Sequence, residues 1–187
     1  MFIQTETTPN PATLKFLPGR SVMSESALDM RDARAAEASP LARSLFAIDG
    51  VSGVFFGADF ISVTKSGGDW AHLKPAILGA IMEHFVTGAP LLEPGVQASV
   101  AASGDEFYAA EDAETVAAIK DLIETRVRPA VAGDGGDIVF RGFEKGVVYL
   151  QMKGACSGCP SSTATLKHGI QNLLRHFLPN VESVEQI

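Results

Sequence analysis

The first half of the chain carries short apolar segments with regular spacing. Residues Val51–Phe56 and 60–64 are rich in β-branched and aromatic side chains and flank a short Gly57-Ala-Asp connection, which predicts a hairpin. From Trp70 to about Val86, an apolar residue recurs every three or four positions, which predicts a helix capped by Asp69. The remaining predicted elements are strands over 1–5 and Thr13–Leu17, a polar helix or ordered loop over 24–37, and a helix from Pro40 to about Ile48 capped by Ser39.

The second half has a clearer pattern. Its spacing predicts a helix over 114–127 that ends at Arg128-Pro129, a turn over 133–137, strands over 138–143 and 147–152, a helix over Pro160–Phe177 and a last strand over 181–187. The resulting order is α-β-β-α-β. Because a strand, helix and parallel strand connect by a right-handed crossover, we expect a mixed three-stranded sheet with helices on one face.

Residues 89–113 separate these two halves. The segment is rich in Gly, Pro, Ala and Ser, carries five acids and no base, and keeps neither period for long, which is typical of a flexible acidic linker. The predicted fold class is therefore α/β (α+β), with two small domains over 1–88 and 114–187.

Composition narrows the function classes. The net charge is −7, and no half of the chain is basic enough to attract a phosphate backbone, so a nucleic-acid partner is not expected. No charge-free run is long enough to span a bilayer as a helix, and the start lacks the basic and apolar regions of a secretory signal. We expect a cytoplasmic bacterial protein with no membrane contact.

All thiol chemistry of the chain lies in Cys156-Ser-Gly-Cys159, since there are no other cysteines. The motif follows a predicted strand and precedes Pro160, which suits a first helical position and leaves Cys159 near the N-cap. The free N–H groups and the positive end of that helix favour thiolate. We therefore expect both sulfurs to be exposed, close together and partly ionised, with Gly154 and Gly158 allowing the backbone to turn.

Four interpretations fit this motif: a redox dithiol, a zinc site, an iron–sulfur site or two structural cysteines. A thioredoxin-type dithiol is expected to follow a β-α-β unit, whereas a hairpin precedes this motif. Zinc and iron–sulfur sites each take about four ligands, and the chain offers two sulfurs. His168 points away from the apolar stripe of its helix and His176 lies at its flank, so neither is a good third ligand. Two copies of the chain would supply four thiolates.

Other candidate residues have plain structural explanations. We expect Asp134 and Asp137 to form a tight turn, His84 to be a hydrogen-bonded core histidine, and Trp70 to be a packing anchor. Ser161, Ser162 and Thr163 fit helix capping and loop hydrogen bonds better than catalysis, since no base lies near them in the sequence.

The chain resembles the NifU/Nfu family of iron–sulfur cluster carriers over most of its length. In the C-terminal half the resemblance rests on Arg128-Pro129, Asp134-Gly-Gly-Asp137, Gly154-Ala-Cys-Ser-Gly-Cys-Pro-Ser-Ser162 and Thr165-Leu-Lys-His-Gly-Ile170. In the N-terminal half, which resembles the mitochondrial and alphaproteobacterial type, it rests on Thr8-Pro-Asn-Pro-Ala-Thr-Leu-Lys-Phe-Leu-Pro-Gly19, Gly50-Val-Ser-Gly-Val-Phe-Phe-Gly57, Asp59-Phe-Ile-Ser-Val-Thr-Lys65 and Trp70-Ala-His-Leu-Lys-Pro75.

The resemblance implies a cluster carrier rather than an enzyme. It implies a [4Fe–4S] cluster held by Cys156 and Cys159, shared between the two protomers of a homodimer, and passed to apo iron–sulfur client proteins. Upstream cluster-assembly proteins are the implied donors, and the N-terminal domain is the expected binding module for such partners. The alternative is a thiol–disulfide oxidoreductase that uses the same two cysteines.

Overall fold

A computed structural model of the chain describes residues 1–24, 26–96 and 105–187. They form two compact units, within Met1–Ser103 and Gly104–Ile187. Each unit combines helices with one sheet, so the predicted α+β class is confirmed. Residues 97–104 of the predicted linker lie outside the described residues. Within the described ranges, no helix is long and apolar enough to cross a bilayer.

The first unit is built on a five-stranded antiparallel sheet with strand order β1-β2-β5-β4-β3. Its strands are β1 Gln4–Thr7, β2 Thr13–Leu17, β3 Leu28–Met30, β4 Val51–Phe56 and β5 Ile61–Lys65, and its helices are α1 Pro40–Phe46 and α2 Trp70–Thr87. Apolar side chains of both helices pack with those of the sheet into one core, which includes Leu45, Val63 and Ile77. The predicted hairpin of β4 and β5 is confirmed.

The helix starts of this unit follow the capping rules read from the sequence. The Ser39 hydroxyl accepts a hydrogen bond from the Ala42 N–H at 3.2 Å, and Asp69 Oδ1 accepts one from the Ala71 N–H at 3.2 Å. The Trp70 indole donates to the Pro11 carbonyl oxygen at 3.1 Å, which anchors the start of α2. His84 is buried as predicted, and this burial lowers the pKa of its imidazole.

The prediction of a polar helix or ordered loop over 24–37 is wrong in one part. Residues Leu28–Met30 form strand β3, which pairs with β4 in the register Met30↔Val54, and only Ala35–Ala38 form a 3-10 turn. Met30 is buried in the core. A three-residue strand leaves no period in the sequence, and its pairing with a distant strand decides its conformation.

The second unit has the predicted α-β-β-α-β order. The antiparallel pair β6 Gly136–Glu144 and β7 Val147–Gly154 is joined through helix α5 Pro160–Phe177 to β8 Ser183–Gln186, which lies parallel to β7. The strand order β6-β7-β8 forms a mixed three-stranded sheet. One core contains apolar residues of the helices and the sheet, among them Ile119, Leu150 and Leu174.

The helical region before β6 is longer than predicted. Helix α3 Ala113–Leu122 continues through a π-helical turn, Ile123–Val127, into α4 Arg128–Gly133, so the predicted end at Arg128-Pro129 is wrong. Proline normally breaks a helix because it lacks an N–H and clashes with the preceding turn. The wider π turn changes the hydrogen-bond register just ahead of Pro129, which lets the chain remain helical.

The described ends of the predicted linker contact the unit next to them. Leu92 is buried in the first core, and the Glu93 N–H donates to the Ala38 carbonyl oxygen at 2.8 Å. In the second unit, the Phe107 N–H donates to the Arg141 carbonyl oxygen at 3.1 Å, and the Phe143 N–H donates to the Phe107 carbonyl oxygen at 2.9 Å. Phe107 therefore lies beside β6 as a single strand-like residue.

Candidate functional site

The loop that carries both cysteines is shaped by its backbone. β7 ends at Gly154, whose φ of 67° lies in the left-handed region that glycine adopts without strain. A 3-10 turn, Ala155–Ser157, follows, and the Ser157 hydroxyl donates to the Gly154 carbonyl oxygen at 2.8 Å. Pro160 then opens α5 with Cys159 at the N-cap, as the sequence predicted. The loop thus holds its two thiols at the junction between a strand and a helix.

Cys156 is buried, with 6% of its surface exposed. Its sulfur lies against the backbone of Gly136, where an added Cβ would come within 2.8 Å of Sγ. Thr163 Oγ1 donates to the Cys156 carbonyl oxygen at 2.7 Å. Burial, followed by the charges of Asp134 and Asp137, raises the pKa of the Cys156 thiol to about 12. The prediction of an exposed, partly ionised sulfur is therefore wrong for Cys156, because the start of β6 covers it.

Cys159 has the opposite environment. It is partly exposed, and its sulfur lies 3.2 Å from the Ser161 hydroxyl oxygen. This hydrogen bond is the main cause that lowers the pKa of the Cys159 thiol to about 7. The Ser162 hydroxyl and the backbone N–H groups of both serines add to the effect without reaching hydrogen-bond geometry. The predicted exposure is confirmed for Cys159, and the lowered pKa of its thiol agrees with the expected partial ionisation.

The two thiols are expected to react with iodoacetamide at very different pH. In a Cys156→Ala variant, the alkylation rate of Cys159 should reach half its maximum near pH 7, since the thiolate forms above its pKa of about 7. In a Cys159→Ala variant, Cys156 should react slowly up to at least about pH 9, because its thiol is buried and stays protonated well above the ordinary cysteine value. Rates measured against pH by mass spectrometry test this, and matching profiles would contradict it.

An ion pair between Arg128 and Asp137 fixes the backbone next to Cys156. Arg128 donates from Nε to Asp137 Oδ1 at 2.9 Å and from a terminal nitrogen to Asp137 Oδ2 at 3.0 Å, and it also contacts Glu124 at 2.8 Å. The bond to Asp137 is the largest effect that raises the pKa of Arg128. Asp137 is buried, and it follows Gly136, the residue that meets the Cys156 sulfur. The pair therefore ties α4 to the start of β6 beside the cysteine loop.

Sequence reasoning missed Arg128 and Gly136 as parts of this site. It placed Arg128 at a helix end and Gly136 in a turn, because a pair nine residues apart and a contact with another strand leave no local pattern. The sequence predicted a capping or loop hydrogen bond for Ser161, but not one between its hydroxyl and the Cys159 sulfur. That bond joins positions two apart at the start of a helix, where a hydroxyl could have been expected near the N-cap side chain.

The histidines do not complete a metal site. His168 is exposed on α5, as predicted, and His176 is exposed near the end of that helix. Across residues 1–24, 26–96 and 105–187, no three His, Cys, Asp or Glu side chains gather where they could hold a metal ion. One described chain therefore brings two free thiols to the site. This pair of thiols suits zinc or the iron of an iron–sulfur cluster, but only when further ligands come from elsewhere.

Two family models together match most of the chain. A model described as scaffold protein Nfu/NifU N terminal matches residues 3–88, and a model described as NifU-like domain matches residues 119–185. Among solved structures, the solution NMR structure of a NifU-like protein from Saccharomyces cerevisiae is 24% identical with a TM-score of 0.46. It covers 50% of this chain and 86% of that chain.

Two curated relatives match the whole chain. NifU-like protein 4, mitochondrial, from Arabidopsis thaliana is 52% identical over 189 residues, which cover 100% of this chain and 66% of that protein. The NFU1 iron-sulfur cluster scaffold homolog, mitochondrial, from Homo sapiens is 50% identical over 189 residues, which cover 100% of this chain and 72% of that protein. The chain thus spans about two thirds of the length of these relatives.

The expected cytoplasmic location in a bacterium is contradicted by these relatives, which are named as mitochondrial proteins. That expectation rested on the absence of a leader at the start of the chain. Since the chain spans only part of the length of its relatives, its first residues say nothing about the compartment to which the whole protein is targeted.

The resemblance read from the motifs is therefore confirmed at both ends of the chain. The two family models match the two halves in the order that the sequence predicted. The human relative is 50% identical to this chain, and the alignment covers 72% of that relative. The chain belongs to the Nfu family of NifU-like proteins.

Proposed function

We propose that this protein carries an iron–sulfur cluster rather than catalysing a reaction. Cys156 and Cys159 bind a [4Fe–4S] cluster and deliver it to apo-proteins that need one. The observation that supports this most is the pair of free thiols on a loop whose outer cysteine is partly exposed. The human relative is named as an iron–sulfur cluster scaffold homolog, which agrees with such a role.

Two copies of the chain share the cluster. A cubane cluster takes about four protein thiolates, and each chain supplies two. Among the described residues no group of three His, Cys, Asp or Glu side chains is placed to hold a metal, so the loop of a second copy is the simplest source of the two remaining ligands. A cluster held by two ligands per chain can be released one chain at a time, which suits delivery better than permanent electron transfer.

The N-terminal unit is the partner-binding part of this proposal. Over residues 1–88 there is no cysteine, so this part of the chain contributes no thiolate to a cluster. We assign it the recognition of client proteins and of the upstream assembly proteins that supply the cluster. The proposed place of action is the mitochondrion, because the matched relatives are named as mitochondrial proteins.

A thiol–disulfide oxidoreductase remains the alternative, since a low pKa at one cysteine and a high pKa at the other also suits a dithiol. The fold context favours the carrier, because the antiparallel pair β6 and β7 precedes the motif instead of a β-α-β unit. Anaerobic incubation with iron and sulfide separates the two functions. A carrier turns brown with broad visible absorption, whereas an oxidoreductase stays colourless and reduces a disulfide substrate.

The stoichiometry of the loaded protein is the direct test of sharing. After anaerobic reconstitution, we expect about four irons and about four sulfides for every two chains. Sizing chromatography should show a shift from a smaller to a larger species on loading, and a chelator should reverse it, because the metal–sulfur bonds hold the two copies together. A monomer that carries a complete cluster would refute the bridging arrangement and would require ligands from small external thiols.

A further inference from the structure

The two proposed ligands differ in how firmly their sulfurs are held. Cys156 is 6% exposed, and its sulfur packs against Gly136 within the core of the second unit. Its carbonyl oxygen accepts a hydrogen bond from Thr163 at 2.7 Å. Movement of Cys156 would therefore disturb both the start of β6 and the first turn of α5.

The sulfur of Cys159 is held by far less, although the Cys159 carbonyl oxygen also accepts a hydrogen bond, from the Thr163 N–H at 2.9 Å. Cys159 is partly exposed, and its neighbours on both sides, Gly158 and Pro160, are exposed. Its sulfur contacts the hydroxyl of Ser161 at 3.2 Å, and Ser161 is itself exposed. An incoming group can thus reach the Cys159 sulfur without disturbing the core.

We propose that Cys159 is the exchangeable ligand of the cluster and Cys156 the anchoring ligand, so that transfer to a client protein begins at the iron bound by Cys159. This inference rests on the proposed function. In the first step, a thiolate of the client forms a bond to that iron, and the bond between the iron and Cys159 Sγ breaks. Thiolate replaces thiolate, so no electron is transferred and the cluster keeps its charge. Cys156 leaves only after the client has a ligand in place.

Ser161 is the positioning residue for this step. As the bond to iron breaks, the Cys159 sulfur regains a full negative charge, and the Ser161 O–H is placed to donate a hydrogen bond to it. While the cluster is bound, the same hydrogen bond withdraws charge from the ligating sulfur, which weakens the bond to iron and raises the reduction potential of the cluster. Ser161 therefore favours release at Cys159 and has no matching contact at Cys156.

The order of release can be read by trapping. The reconstituted wild-type dimer is first exposed anaerobically to a small monothiol, 2-mercaptoethanol, and is then treated briefly with N-ethylmaleimide in excess over all thiols. Native mass spectrometry selects the cluster-bearing dimer, and fragmentation of that species locates the label. Only dimers that still carry the cluster are analysed, so the fully stripped protein contributes nothing. In these dimers we expect the label on Cys159 and iron or sulfide retained on the fragments that carry Cys156. The retained iron or sulfide shows that Cys156 is still a ligand and is not merely shielded from the label by burial. Labels on Cys156, or on both cysteines equally, would overturn the proposal.

The role of the hydroxyl is tested with Ser161→Ala, and Ser161→Thr serves as the conservative variant. Loss of one hydrogen bond to a charged group should slow thiol-dependent cluster release by at least about tenfold, and it should shift the reduction potential to more negative values. Ser161→Thr should restore both properties. The matched control is Thr165→Ala, which removes an exposed hydroxyl on the same helix that bonds to the Ser161 carbonyl oxygen rather than to sulfur.

The outcomes separate this inference from the proposed function. A wild-type protein that takes up no cluster refutes the proposed function, and the inference falls with it. A wild-type protein that loads normally while Ser161→Ala releases its cluster at the wild-type rate and potential refutes the role of Ser161. A shift of the same size in Thr165→Ala would also count against it, because the effect would then belong to the helix rather than to the hydrogen bond.

Discussion

A Cys159→Ala variant is expected to lose stable cluster binding altogether while it keeps its fold. With one thiolate per chain, two copies supply two ligands, and two of the four irons of a cubane cluster have no protein ligand. The side chain of Cys159 is partly exposed and lies outside the core, so its removal should leave the free energy of unfolding close to that of the wild type. Iron and sulfide analysis after anaerobic reconstitution measures the loss.

Cys156→Ala should abolish cluster binding equally but should also weaken the fold. Because Cys156 belongs to the core of the second unit, its truncation leaves a small cavity and should cost about 1 kcal/mol. Chemical denaturation of the apo protein distinguishes this cost from the loss of a ligand. Normal iron and sulfide content in either variant would show that the two cysteines are not the ligands.

Gly136→Ala should have the second largest effect on cluster binding. It removes no ligand, but its added Cβ should displace the backbone or the cysteine loop. The added Cβ would lie 2.6 Å from the Lys153 carbonyl oxygen and 2.8 Å from Cys156 Sγ. Since the first of these atoms is backbone, either the pairing of β6 with β7 opens or the cysteine loop moves. We expect the free energy of unfolding to fall by about 2 kcal/mol and the cluster to be lost faster than in the wild type.

Gly133→Ala is the matched control for this variant. Gly133 lies three positions earlier in the chain, at the end of α4, and a Cβ placed there meets no atom within 4 Å. Alanine at that helical position should be neutral or stabilising by up to about 1 kcal/mol. Wild-type melting temperature and cluster retention in Gly136→Ala would contradict the contact with Cys156, and equal damage in both variants would mean that any change in this region disturbs the site.

Elements set by local rules could be predicted from the sequence. Helix α5 begins at Pro160 and ends at Phe177 as predicted, because a proline suited to the first turn and a regular apolar stripe mark it. Ser39 and Asp69 cap their helices because a short polar side chain before a helical pattern can accept from a free N–H. In each of these cases the deciding contacts lie within a few positions along the chain.

Features that depend on distant partners could not be predicted in this way. Strand β3 exists because β4 lies beside it, and Cys156 is buried because Gly136 approaches from another strand. The helix beyond Arg128 was missed for a different reason, since the rule for proline assumes an α-helical register and the π turn changes that register. The sequence could therefore show which two cysteines form the candidate site, whereas their difference in burial and in pKa could not be predicted.

Phe107 has a consequence for how two copies of the chain can meet. An open sheet edge invites pairing with the edge of another molecule, which leads to persistent aggregates. At the outer edge of β6, the two hydrogen bonds of Phe107 occupy backbone groups of Arg141 and Phe143. The opposite edge strand, β8, is four residues long and carries Glu185. Strand-to-strand association is thus discouraged at both edges, so the proposed pair of copies, joined only through its cysteine loops, would be free to separate once the cluster has gone.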